Sequence, residues 1–252
     1  MMVAKLENMI GQIFPTNNCG NLEIIEYINK RNVTVRFLNT NFITNVELGD
    51  IRRGNVRDYL MPSVYNVGII DIKYPAYFEG KMLLEYQIWH DMLRRCYDQN
   101  WQIRHPSYEG CLTSKNFAYY PFFYEWCNDQ IGFGNLDWQL DKDLLVKGNK
   151  VYSEDTCIFI PREINVALTH NRTQESIYPT GVNLYRSGRF QSQIMMYGKK
   201  RYLGYFDTPE EAFLAYKQSK EQYLQSLAYK WEPYIDSRAF EALLHYQLEI
   251  TD

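Results

Sequence analysis

The sequence predicts an α+β protein with a small β module first, a ββα unit in the middle and a three-stranded sheet plus helix near the C-terminus. Three observations carry this. β-Branched and alternating apolar residues fill 22–28 and 33–37. Tyr86, Trp89, Met92, Leu93 and Cys96 recur at three- and four-residue steps, the period of one helix face. Residues 181–206 read as three strands broken at Ser187-Gly188 and Gly198-Lys199-Lys200, with a helix start at Thr208-Pro209-Glu210-Glu211.

Each element follows in order. In residues 1–70, Asn17-Asn18-Cys19-Gly20 and Asn29-Lys30-Arg31-Asn32 are turn sequences before and between the first strands, and 42–46 suits a further strand. Together these predict a small β-barrel-like module resembling an SH3 domain. Arg52-Arg53-Gly54 with Arg57 forms its basic end, suited to phosphates or to a solvated loop. Residues 71–175 open with the striped helix, with Arg94 and Arg95 beside the stripe. A second helix is expected over 121–130. Gly148-Asn149 is a turn signal between two short strands, around 140 and 151, and a helix fits 162–168. In residues 176–232, Thr208 can cap a helix, Pro209 suits its first position and Glu211 completes a capping box. Ala212, Phe213, Tyr216 and Tyr223 then form an apolar face. Residues 233–252 hold one more amphipathic helix, over 237–248, a candidate surface for a protein partner.

Bulk properties narrow the function classes. The 252 residues carry a formal net charge of -3, which excludes a uniformly basic nucleic-acid binder and makes any such surface local. Cys19, Cys96, Cys111, Cys127 and Cys157 are odd in number, widely spaced and never C-x-x-C, against both a disulfide scaffold and a zinc spacing. The start of the chain has no signal-peptide core, and no stretch approaches a membrane span, so an intracellular protein without a membrane partner is expected. Its 22 Tyr, 13 Phe and 5 Trp suit either a core or base stacking.

The local imbalance lies in residues 181–206, which hold Arg186, Arg189, Lys199, Lys200 and Arg201 and no Asp or Glu. Strand alternation turns Val182, Leu184, Ser192, Ile194, Leu203 and Tyr205 toward the helix. It turns Asn183, Tyr185, Arg189, Gln191, Gln193, Met195 and Tyr202 outward. Amides, aromatics and cations on one face can read base edges and hold phosphates; an ordinary solvated sheet face has the same composition. Gly181-Val182, Phe190-Gln191-Ser192-Gln193-Ile194, Tyr202 through Ala212 and Ala215-Tyr216 resemble the plant ethylene-response-factor (APETALA-type) DNA-binding domain, over about a fifth of the chain. The resemblance implies that the outer sheet face lies in the major groove of double-stranded DNA. Carried over by position, the contacts are Asn183, Tyr185, Gln193, Met195, Lys200 and Tyr202, with Arg189 and Arg201 as added cations. The plant domain favours arginines and a glutamate where this chain has Asn183, Gln193 and Met195, so the fold carries over better than base preference.

The middle of the chain resembles a second family. Trp89-His90-Asp91-Met92-Leu93-Arg94-Arg95-Cys96-Tyr97, Phe123-Tyr124-Glu125-Trp126, Leu140-Asp141-Lys142-Asp143, Tyr152 through Cys157 and Ile164-Asn165 are similar to bacteriophage His-Asn-His (HNH) homing endonucleases. Those proteins often carry an ethylene-response-factor-type domain at the C-terminus. The resemblance implies a ββα-metal nuclease unit acting in the cytoplasm of an infected bacterial cell, with magnesium or manganese as cofactor if the unit is active. By position, Asp141 and Asn165 match the metal ligands. Lys142 stands where the general-base histidine would be, and Thr156 replaces the central asparagine. A lysine is protonated near neutral pH unless its pKa is strongly depressed, which makes it a poor base. His90, His105 and His170 are alternative sources of an imidazole. Three readings remain: a metal-dependent DNA nickase, an HNH descendant that binds DNA without cutting it, and a protein-interaction module.

Overall fold

The computed structural model describes residues 9–169 and 177–251; His170 lies outside them. The architecture is mixed α+β, built from several small sheets with no closed barrel among the described residues. The chain divides into two compact units, Met1–Glu109 with Lys115–Tyr124, and Gly110–Ser114 with Glu125–Asp252.

The first unit begins with an antiparallel four-stranded sheet in the order β1 (Ile13–Pro15), β2 (Asn21–Asn29), β3 (Asn32–Phe37) and β4 (Ile43–Val46). Alternation buries Leu22 and Ile24 on β2, and Val33, Val35 and Phe37 on β3. The expected barrel does not close. The outer strands have only three and four residues, and helix α1 (Leu48–Arg53) covers the apolar face instead through Leu48 and Ile51. Part of the basic end is spoken for: Arg53 pairs with Asp50 at 2.7 Å, and the Arg57 guanidinium lies 4.9 Å over the Tyr59 ring.

A short hairpin, β5 (Tyr77–Phe78) with β6 (Lys81–Met82), leads into helix α2 (Leu84–Tyr97). All five stripe residues of α2 are buried. The Trp89 indole N–H donates to the Phe117 carbonyl at 2.7 Å, so burial leaves no orphan donor there. Helix α3 (Gln99–Arg104) follows, its cap Asp98 accepting from the Trp101 amide. Helices α4 (Lys115–Ala118) and α5 (Tyr120–Asp129) come next, and α5 spans the division between the units.

In the second unit, β8 (Trp138–Asp141) pairs antiparallel with β10 (Ile158–Pro161), and helix α6 (Arg162–Leu168) starts at once. The strands flanking Gly148-Asn149 therefore do not pair with each other. The strand after that turn, β9 (Val151–Tyr152), runs parallel to β7 (Leu112–Thr113). The antiparallel sheet β11 (Val182–Leu184), β12 (Phe190–Met196), β13 (Lys199–Phe206) precedes helix α7 (Pro209–Trp231). The Thr208–Glu211 capping box is formed in full. At Gly181 the backbone sits at φ 80°, and a Cβ there would lie 2.2 Å from the Tyr216 ring, so this approach of strand to helix requires glycine.

Helix α7 serves two cores. Its first half packs Ala212, Phe213 and Tyr216 against Val182 and Ile194 of the sheet. Its second half packs Tyr223, Leu224, Leu227 and Ala228 against Ile158, Ile160 and Ile164 of the ββα unit. Helix α8 (Ser237–Leu244) buries Ala239 and Leu243 in that second core. The amphipathic C-terminal helix thus has its partner within the chain, on α7, rather than offering that face to another protein. The boundaries expected at 175/176 and 232/233 both fall inside this one unit.

Candidate nucleic-acid interface

Strand pairing decides which side chains share the exposed face of the β11–β12–β13 sheet. On the central strand, Ser192 and Ile194 are buried under α7, so Gln191, Gln193 and Met195 face away from it. Their neighbours across the ladder share that side: Asn183 and Tyr205 beside Gln191, Tyr202 beside Gln193, and Lys200 beside Met195. Tyr185, two residues beyond Asn183, joins them; its ring centroid is 4.9 Å from that of Tyr205. Asn183, Tyr185, Gln193, Met195, Lys200 and Tyr202 are thereby brought onto one surface.

Two expected contacts are placed differently. Arg201 is opposite Ile194 in the ladder, so its side chain leaves on the helix side of an edge strand. Arg189 is on the outer side, but its Nε donates to Asp207 at 2.9 Å and its Nη2 to the Tyr205 carbonyl. Asp207 lies one residue past the acid-free stretch. The two core assignments that fail are Leu184 and Tyr205, 53% and 44% exposed. Leu184 lies at the end of a three-residue edge strand, beyond the helix cover. Tyr205 is reversed by a β-bulge: the register passes from Ser192 opposite Gly204 to Gln193 opposite Tyr202, leaving Leu203 as the extra residue. Gly204, at φ 139°, was the available signal, since glycine inside a strand marks such a bulge.

The exposed side chains on this face are mostly aromatic and amide. Tyr202 is 67% exposed, Met195 51% and Tyr185 45%. The Gln191 amide donates to the Tyr205 hydroxyl, which fixes that ring against the sheet. Arg186 and Lys200 form no ion pair among the described residues, and Lys200 puts a positive charge at one end of this face; Lys199, opposite Met196, leaves on the helix side as Arg201 does.

The ββα unit places the other candidates. Asp141 ends β8 and is buried. Its Oδ1 accepts the amides of Asp143 and Leu144 at 3.1 and 2.7 Å, closing an Asx turn. Burial, and then the Asp143 carboxylate, push the Asp141 pKa up to about 6, against the pull of those amides and Lys142. Lys142 is also buried, with its ammonium donating to Asp143 at 2.9 Å and to the Asn149 carbonyl at 2.8 Å. Asn149 returns the bond through its side chain to the Lys142 carbonyl. Thr156, in the central asparagine position, donates to the Val151 carbonyl and so ties down the same loop. Asn165, on α6, donates to the Gln139 side chain. Gln139 and Asp141 are two residues apart on β8 and share its face.

His90 and His105 belong to the first unit and have partners of their own. His90 lies 5.2 Å from the Tyr65 ring, and His105 stacks on Trp101 at 4.0 Å. Among the described residues, no group of three or more His, Cys, Asp or Glu is arranged to hold a metal ion. No helix among them is long and apolar enough to cross a membrane. No protein-family model, curated protein or solved structure matches the chain.

Proposed function

We propose that this chain is a DNA-binding protein whose interface is the outer face of the β11–β12–β13 sheet, with double-stranded DNA as its partner. The observation that carries the reading is the gathering of Asn183, Tyr185, Gln193, Met195, Lys200 and Tyr202 on one exposed face. Amides on such a face match base edges, and the Lys200 ammonium matches a phosphate. The order of a strand pair, a helix, a three-stranded sheet and a capped helix supports the resemblance to HNH homing-endonuclease-like phage proteins with an ethylene-response-factor-type domain. A phage protein of this kind works in the cytoplasm of its bacterial host.

Of the two DNA readings, binding without cutting is favoured. Lys142 occupies the general-base position with its Nζ tied to the Asp143 carboxylate and the Asn149 carbonyl, and a lysine beside a carboxylate is a poor proton acceptor. The residues as placed do not fit magnesium or manganese. Asp141 turns one oxygen onto its own loop beside a buried ammonium, and Asn165 is engaged with Gln139. The nickase reading rests on Asp141 and Gln139, the partner of Asn165, sharing one strand face.

Affinity for a labelled duplex across a salt series tests the proposal. Lys200→Ala should weaken binding and make the salt slope shallower by about one unit, because about one fewer counterion is released. Arg201→Ala should do less. Unchanged affinity and slope in both variants would remove this sheet as the DNA surface. The nickase reading is checked on supercoiled DNA with magnesium or manganese: nicking by the wild type that is lost in Asp141→Ala would restore it.

A further inference from the structure

We infer that the duplex held by this face is rich in A·T pairs, read in the major groove by Asn183 and Gln193. This rests on the DNA-binding reading and names the class of target sequence. Three observations lead to it. First, the donors and acceptors at the centre of the face are amides. Gln193 has Tyr202 on one side and on the other only Gly181, whose carbonyl accepts the Gln193 backbone N–H, so no side chain crowds it on that flank. No hydrogen bond holds the Asn183 or Gln193 side chain among the described residues. A carboxamide sets one donor and one acceptor side by side, the complement of adenine N7 and its N6 amino group. Gln191 gives one N–H to the Tyr205 hydroxyl and keeps another N–H and its oxygen.

Second, the arginine fork that matches guanine O6 and N7 is missing from these rows. Arg201 leaves on the helix side, and Arg186 stands in the turn after β11. Arg189 has its Nε and Nη2 tied to Asp207 and the Tyr205 carbonyl. Among the described residues Lys200 is the one cation on the ladder rows of this face, at its end opposite Met195, where it suits a phosphate. Third, apolar surface stands beside the amides. Met195 follows Gln193 on the same side of β12 and the Tyr202 ring flanks it, both largely exposed. The C5 methyl of thymine is the apolar group of the major groove, and a G·C pair has none. Guanine also offers acceptors at both N7 and O6, which leaves the carboxamide oxygen unmatched.

The test titrates three hairpin duplexes of equal length into the full chain at one salt concentration, built of alternating A·T, G·C or inosine·C pairs. Inosine is guanine without its N2 amino group, so inosine·C shows the major groove of G·C and the minor groove of A·T. The A·T duplex should bind about tenfold more tightly than both others. Gln193→Ala should weaken A·T binding by about tenfold and leave the other two nearly unchanged. Lys200→Ala should weaken all three alike. Asn183 is exposed and Gln193 is on the outer side of β12, so neither side chain belongs to the core. Equal binding of all three, a preference for G·C, inosine·C bound as tightly as A·T, or a preference that survives Asn183→Ala with Gln193→Ala would overturn this inference and leave the DNA reading standing. No binding to any duplex at low salt would remove both.

Discussion

Asp141 shows how a single carboxylate can be a strain on the fold rather than its support. Its ionised form is disfavoured by burial and by Asp143, which lifts its pKa from 3.8 to about 6. The folded chain therefore holds a proton that the unfolded chain releases. The contribution of Asp141 to stability is greatest below pH 4, falls as pH rises through about 6, and stays reduced above it. Full ionisation costs on the order of 2–3 kcal/mol. Asparagine keeps an oxygen for the amides of Asp143 and Leu144 but carries no charge. Asp141→Asn should thus raise the melting temperature at pH 8, leave it almost unchanged at pH 4, and flatten the profile between. A lower melting temperature at pH 8 would mean that the carboxylate has a stabilising partner. The residue was recognisable in the sequence because Leu140-Asp141-Lys142-Asp143 stood out as a motif. Its inward turn was not, because an Asx turn depends on where the chain goes next.

At the scale of elements, α7 contains the oddest position. Lys220 is buried between the two cores, and desolvation lowers its pKa to about 8. Folding here disfavours the charged form, so stability rises as pH increases from about 8 toward 10.5, where the unfolded chain also loses its proton. Lys220→Met should stabilise the chain at pH 7 by roughly 1–3 kcal/mol and abolish that alkaline gain; denaturant melts at pH 7 and pH 10 measure both. Elements with a strong local period were legible. The α2 stripe, the β2 and β3 alternation and the Thr208 cap all read directly from neighbouring residues. The β10 strand was missed because Ile158, Phe159 and Ile160 are all buried and give no alternation. Its partner β8 lies across a sixteen-residue excursion, within which Gly148-Asn149 marks only a local turn. The closure of the first sheet was misjudged for a similar reason: whether a helix or another strand covers an apolar face is settled by contacts distant in sequence. Of the candidate site, the Asn183, Gln193, Met195 and Tyr202 face followed from alternation, and Tyr205 was lost to one inserted residue.

For the molecule as a whole, the organisation of the second unit matters more than its parts. Apolar side chains from β10, α6, α7 and α8 share one core. A fragment of residues 177–251 would expose the second half of α7, including Leu224, Leu227 and Ala228, where the ββα unit had covered it. That fragment should lack a cooperative thermal transition in near-ultraviolet circular dichroism, whereas the full chain shows one. A sharp transition in the fragment would show that the sheet and helix carry a sufficient core alone.

The helix that belongs to both cores also makes them thermodynamic partners. A ligand on the sheet binds only the folded sheet, and the folded sheet requires an intact α7. Each increment of binding free energy is therefore shared with the strand pair on the far half of the same rod. Occupancy of the tyrosine face and order around Asp141 become two readings of one equilibrium. Conversely, if the sheet binds nucleic acid as proposed, a change that loosened the ββα loop would weaken that binding without touching a single contact residue.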